Sequence, residues 1–371
     1  MGAAVANALH HLPEPAQRMT AQPATASRLP FIDAIKAIAS QLIVLHHLAF
    51  YGPMSDYVQT ICPETIAWLS QHARIAVQAF LVMGGFLAAQ ALARDGKLTD
   101  KPVLQLIRKR YVKLVTPYLV ALALAVAGAA IARSLITHDS IPGAPTIAQV
   151  VAHTMLLQSV LGFDGLSAGV WYVAIDFQLY VFLLIVIWLS RRLLPEKPSV
   201  SLWCVLAFIA ASLFMFNRDA SWDNWAVYFF GAYGLGAVTY WCTQPKRVSL
   251  WFIAALLLAV IALWFDFRTR ILVALLFSCC LGIARSTGLL ETWPTVKLIA
   301  WLSEISYSVF LVHFPVCLVI NAIFERFAPH EPAIQLVGML VAWFASIGSG
   351  ALLHSLVEKP ALFRQGKAKP A

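Results

Sequence analysis

The sequence predicts an all-α membrane protein: a polytopic bundle of about ten transmembrane helices with both termini on the cytoplasmic side. Three observations lead there. Of 371 residues, 60% are apolar and only 12% charged, with a mean hydropathy of +0.75, which is not the composition of a soluble domain. Apolar runs of about 17–25 residues, the length that crosses a bilayer as a helix, fall near 32–51, 74–93, 112–133, 169–189, 200–216, 224–241, 249–265, 269–284, 299–322 and 335–356. The run at 269–284 is the weakest candidate of the ten. Lys and Arg also segregate. The N-terminal tail and the connections 94–113, 190–199, 242–248, 285–298 and 357–371 hold 20 of the 27, against six on the opposite side. The richer side is cytoplasmic by the positive-inside rule. The net charge of +9 is therefore topology, and no nucleic-acid partner is expected. Residues 1–30 form a polar tail without the apolar core of a signal peptide, 31–357 a single transmembrane domain, and 358–371 a basic tail.

The first helix, Arg28 to Phe50, reads as an apolar span yet holds Asp33, Lys36, Ser40, His46 and His47. At about 100° per residue, the step from Lys36 to His47 comes within about 20° of three full turns, so the two share a face roughly 16 Å apart. Ser40 lies between them. Ionisable groups in hydrocarbon are costly and face a bundle interior or a water-filled cavity, which makes this face a functional candidate.

In the second span, Gln78 precedes adjacent glycines at Gly84 and Gly85, which suit either close helix packing or a local break. The densest basic run, Arg108 to Tyr118, stands at the cytoplasmic start of the third span. Arg108, Arg110 and Lys113 suit a polyphosphate ligand, although on charge alone the run reads as an anchor to anionic lipid. Residues 134–168 form the longest connection, and its apolar patch from Thr146 to Val160 suits a re-entrant or interfacial helix.

The fourth span opens with Trp171 and Tyr172, placed for an interfacial aromatic belt. Asp176 and Gln178 follow, about 10 Å deep in the outer half, where a structural hydrogen bond or a functional partner serves equally. Gly231, Gly234 and Gly236 in the sixth span read as packing positions, and Asp266, Arg268 and Arg270 as a solvated external turn within reach of a polar acceptor. In the ninth span Ser306 and His313 lie two turns apart on one face, with Tyr307 between them and Pro315 inviting a kink. The six cysteines show no CxxC or Cys/His spacing, so neither a metal site nor an external disulfide is expected.

Together these stretches resemble the acyltransferase-3 family of integral membrane acyltransferases, which modify bacterial surface and exported glycans. Lys36 and His47 match its basic-x10-His signature. Gly85–Leu87 resembles its Ser-Gly-Phe-Leu stretch, and Arg108–Tyr118 its Arg-rich run ending in Pro-Tyr. Trp171–Tyr180, Ser306–Val316 and Glu358–Pro360 are similar to its later motifs, in the expected order. The chain departs from that pattern at Gln78, where the family has an acid, at Gly84, and at Asp176, which is shorter than the family's Glu. The resemblance implies an O-acyltransferase in a bacterial inner membrane. Its donor is acetyl-CoA or another acyl-CoA, and its acceptor a sugar hydroxyl on a lipid-linked or exported polysaccharide. His47 then serves as base or transient acyl carrier. Lys36 holds the donor with Arg108, Arg110 and Lys113, while Asp176 and His313 orient His47 or bind the acceptor. Trp171, Tyr172, Gln178 and Tyr307 are candidate acceptor contacts. The competing reading is a transporter or flippase for lipid-linked saccharides, because buried Lys, Asp and His also build proton relays. No matched pair of interrupted helices supports it.

Overall fold

The computed structural model describes residues 28–94, 98–194 and 199–361. Most of the two expected tails lies outside them. The described chain is a helical bundle whose strand content is one two-residue hairpin, Thr243–Gln244 with Arg247–Val248. In order, the helices are α1 (Pro30–Phe50), α2 (Pro53–Val58), α3 (Pro63–His72), α4 (Ala76–Leu92), α5 (Val103–Leu135), α6 (Ile147–Thr154) and α7 (Val170–Leu193). They continue with α8 (Val200–Phe214), α9 (Ala226–Cys242), α10 (Leu250–Phe265), α11 (Thr269–Thr287), α12 (Leu289–Thr292), α13 (Lys297–Phe327) and α14 (Pro332–Leu353). Among the described residues, eight stretches are long and apolar enough to cross a membrane, the run near 269–284 included. The other two expected spans are α9 and α10, of 17 and 16 residues, about 25 Å each against a hydrocarbon core of about 30 Å. The end of the bundle where α1 begins is called the near face, and the end where α1 finishes the far face.

Small residues set the tightest crossing. A Cβ on Gly85 of α4 would stand 1.8 Å from the Tyr233 carbonyl oxygen, and one on Gly236 of α9 1.9 Å from that of Val82. The two backbones touch through these glycines, the way membrane helices gain van der Waals contact where lipid supplies no hydrophobic drive. Of the two readings of the Gly84–Gly85 pair, close packing holds, and α4 is unbroken. Helix α13 likewise runs unbroken through Pro315, with Gly128 of α5 packed on that proline.

Polar links fasten the ends. Arg28 pairs with Asp33 at 2.7 Å and donates to the Ala300 carbonyl, while Ser303 donates to the other Asp33 oxygen, tying the start of α1 to α13. On the far face, the expected solvated turn is only partly so. Arg268 is mostly buried, donating to Asn217 and to the Leu213 carbonyl, because the last turn of α8 leaves carbonyls without helical partners.

The connection between α5 and α7 turns inward, and this decides where the site lies. Thr146 and Gln149 form a capping box that starts α6. His153 is fully buried. Its Nδ1–H donates to the Gln149 carbonyl, so its Nε2 accepts from the Leu166 N–H. Gln158 donates to the Val170 carbonyl. The loop thus drawn in brings Gly169, at the start of α7, against Phe310, fourteen residues into α13 and so about 20 Å along it.

Burial holds the His153 imidazole below its ordinary value of 6.5. The unfolded loop therefore binds more protons than the folded one as pH falls through 6.5, and the stability that neutral His153 contributes is lost in that direction. Protonation would also remove the acceptor of the Leu166 N–H. Hydrogen exchange at Leu166 should accelerate between pH 7 and 5 beyond the intrinsic rate change, and His153→Gln should flatten that dependence. A pH-independent protection factor would refute the assignment.

Candidate active site

Between α1, α4, α5, α7 and α13 lies a cavity of about 230 Å³, lined by Lys36, Arg110, Lys113, Asp176, Tyr307 and Glu358 among others. The inset start of α7 explains a difference from expectation. Asp176, read from sequence as lying in the outer half, shares this cavity with Lys36. Its partner is Arg110, at 2.5 Å from Nη2 to Oδ2, and not His47. The Arg110 guanidinium also lies 5.2 Å above the Tyr180 ring, yet its Nε is buried without a hydrogen-bond partner. Lys36 and Lys113 make no hydrogen bond or ion pair among the described residues. Glu358 accepts from Ser308 at 2.6 Å and from His354 at 3.1 Å, so this carboxylate is already held. The cavity therefore offers two uncommitted ammonium groups, a donor set suited to an anion or a polarised carbonyl.

Beyond Phe310 stands a histidine pair. His47 Nδ1 and His313 Nε2 are 2.6 Å apart, and both rings are buried. His313 Nδ1 lies 3.2 Å from the Val309 carbonyl. A carbonyl only accepts, so His313 carries its proton on Nδ1 and presents a bare Nε2. The shared bond is then donated by His47 Nδ1–H. That leaves the His47 Nε2 lone pair free, and no described protein group uses it. A base or a nucleophile needs that lone pair. Each histidine is legible on the face of its own helix; the contact between them is a tertiary fact.

His47 lines neither cavity mouth. Phe310, 6.0 Å from the His313 ring, lines the Lys36 cavity and also a small void shared with Val170 and Ser167. Val170 and Ser167 in turn line a far-face groove of about 610 Å³, together with Tyr51, whose ring is 5.4 Å from His47. The histidine pair is thus enclosed between two cavities, with Phe310 on one side and Tyr51 on the other.

The remaining candidates divide. Tyr172 and Tyr307 line the near cavity, Tyr307 donating to the Leu114 carbonyl. Trp171 faces the far groove instead. Gln178 accepts from the Ala226 N–H at the start of α9 and lies outside the Lys36 cavity. Arg108 is exposed near the start of α5 and also outside it. Phe310, Ser308 and Glu358 were not singled out as site residues. Glu358 stood in a quoted motif, whereas Phe310 carries no polar signal.

A family model described as an acyltransferase domain, that of acyltransferase-3, matches residues 29–354. The chain belongs to the acyltransferase-3 family. Comparison with curated proteins and with solved structures found no match. The matched stretch contains Lys36, His47, Arg110, Asp176 and His313 and stops just short of Glu358. This acyltransferase carries its candidate groups on membrane-crossing helices, with no separate soluble catalytic domain among the described residues.

Proposed function

We propose that this acyltransferase moves an acyl group, acetyl in the simplest case, from acyl-CoA to a sugar hydroxyl of a lipid-linked or exported polysaccharide. The near face is then cytoplasmic and the membrane a bacterial inner membrane. The observation that carries the proposal is the enclosed His47–His313 pair, its free Nε2 lying between a cavity with uncommitted lysines and a groove on the opposite face.

The near cavity, at about 230 Å³, is smaller than the usual 300–1,000 Å³ ligand site. It takes the thioester end of the donor, while the phosphates stay outside over exposed Arg108 and Lys109. Lys36 and Lys113 polarise the thioester carbonyl. Rotation of Phe310 opens the way to His47 Nε2, which attacks the carbonyl carbon. The N–C bond forms, the C–S bond breaks, and coenzyme A leaves as thiolate, giving an acylimidazolium that still carries its Nδ1 proton. The sugar hydroxyl then attacks the acyl carbon, its proton passing to Nε2 as the N–C bond breaks and from there through water to the thiolate, which restores neutral His47. In direct transfer His47 instead takes the hydroxyl proton while the oxygen attacks the thioester, and the C–S bond breaks to release a thiolate that receives that proton. The carrier route suits the enclosed position better, since only the acyl group has to pass the barrier.

Release of free thiol from acetyl-CoA by the reconstituted protein tests this reading, because a transporter leaves the thioester intact. Lys36→Ala should raise the donor KM about tenfold, the loss expected for one hydrogen bond to a charged group, with a smaller change in kcat. No thiol release by the wild-type protein with a host glycan extract would overturn the proposal.

A further inference from the structure

The far face holds a second hollow, of about 620 Å³, beside the groove next to Tyr51. The two share Trp171 and Ser159 along their common wall. This lobe is built differently from its neighbour. Arg74, Arg268 and Arg270 converge on it, while the lining carboxylates reduce to Asp223. Arg268 is committed to Asn217, Leu213 and Asp266, while Arg270 donates one N–H to the Tyr228 hydroxyl, its guanidinium 5.3 Å from that ring, and keeps its other N–H groups. Arg74 makes no hydrogen bond or ion pair among the described residues.

A second, independent feature sits in the wall. Gln78 is 8% exposed, lines the lobe, and its amide makes no hydrogen bond among the described residues. The residue is held in the wall while its amide opens on the lobe, where a ligand or ordered water can complete it. An amide N–H₂ beside two accessible guanidinium groups is a donor set for an oxyanion. Gln78 is also neutral. A carboxylate at that position would face Arg74 and Arg270 and occupy the charge they offer.

We infer that this arginine lobe is the anionic subsite of the acceptor, so that the saccharide acylated here bears acidic groups, of the uronate class, along its chain. The inference rests on the acyltransferase reading above and specifies its acceptor. The sugar to be acylated lies in the groove beside Tyr51, within one side chain of His47. The chain crosses the Trp171 ring, and a neighbouring acidic residue is held by Arg74, Arg270 and the Gln78 amide.

Binding is measured without donor, on the full chain in neutral-lipid nanodiscs, using tri-galacturonate and its carboxyl-reduced counterpart as probes. The acidic trimer should bind at least about tenfold more tightly, the difference expected for hydrogen bonds to a charged group, and the preference should shrink with added salt. Gln78→Glu and Arg74→Ala should each remove most of it while the neutral trimer binds as before. Equal binding of the two trimers by wild type, or an unchanged preference in both variants, would overturn the inference. Anionic phosphatidylglycerol in the nanodisc abolishing the preference would also overturn it, by assigning the lobe to lipid headgroups. Selective binding with no thiol release from acetyl-CoA would uphold the anionic subsite and refute the transfer reading instead.

Discussion

His47→Ala abolishes acyl transfer, with a fall of about 10²–10⁴-fold, the range a positioned proton-transfer group supplies, and more if the imidazole carries the acyl group. The prediction follows from the geometry of the pair, since His313 uses both ring nitrogens and His47 keeps Nε2 uncommitted. Removing a buried ring also leaves a void, so His47→Gln is the companion variant, keeping bulk and a hydrogen-bond donor toward His313 without a basic nitrogen. Both should insert and behave as monodisperse protein in detergent. His313→Ala should be milder, because His47 survives but nothing fixes its proton on Nδ1. In that variant a share of His47 molecules presents a protonated Nε2, which lowers kcat more than it changes the donor KM. Equal losses in the two alanine variants would instead make the histidines a single unit.

Asp176→Ala should give the largest loss of stability. It leaves the Arg110 guanidinium facing only Tyr180 in the helix bundle, where breaking one member of a buried pair costs about 3–5 kcal/mol. Arg110 keeps some contact with the cavity, its side chain 24% exposed, which places the expected effect near the lower end. The thermal midpoint in detergent should fall clearly, and trypsin should cut at Arg110 in the folded-state digest. The double variant Arg110→Met with Asp176→Leu should recover most of the loss, because it removes both charges and keeps the volume. If Asp176→Ala is as stable as wild type while donor affinity falls, the pair is a binding element and not a brace.

The helical class and most spans were legible from hydropathy, because lipid allows few other solutions to backbone hydrogen bonding. The Lys36 and His47 face was legible because it lies on one helix. What remained hidden was depth. Counting from an assumed surface puts Asp176 in the outer half, but the connection between α5 and α7 is drawn inward by His153, Gln158 and Gly169, so α7 begins beside Phe310. Periodicity on one helix says nothing of where another starts. For the same reason the His47–His313 contact and the Arg110–Asp176 pair were out of reach, though all four residues had been singled out by their polarity. Arg268 was misread as solvated because its partners, Asn217 and the Leu213 carbonyl, lie more than fifty residues away.

The most direct test compares O-acetyl content of surface and secreted polysaccharide in a host lacking the gene, complemented with wild type or with His47→Ala at matched membrane levels. Loss of O-acetyl groups on deletion, restored by the wild type and not by His47→Ala, is the predicted result. Restoration by both, or unchanged O-acetylation with failed polysaccharide export, would contradict an acyltransferase centred on His47.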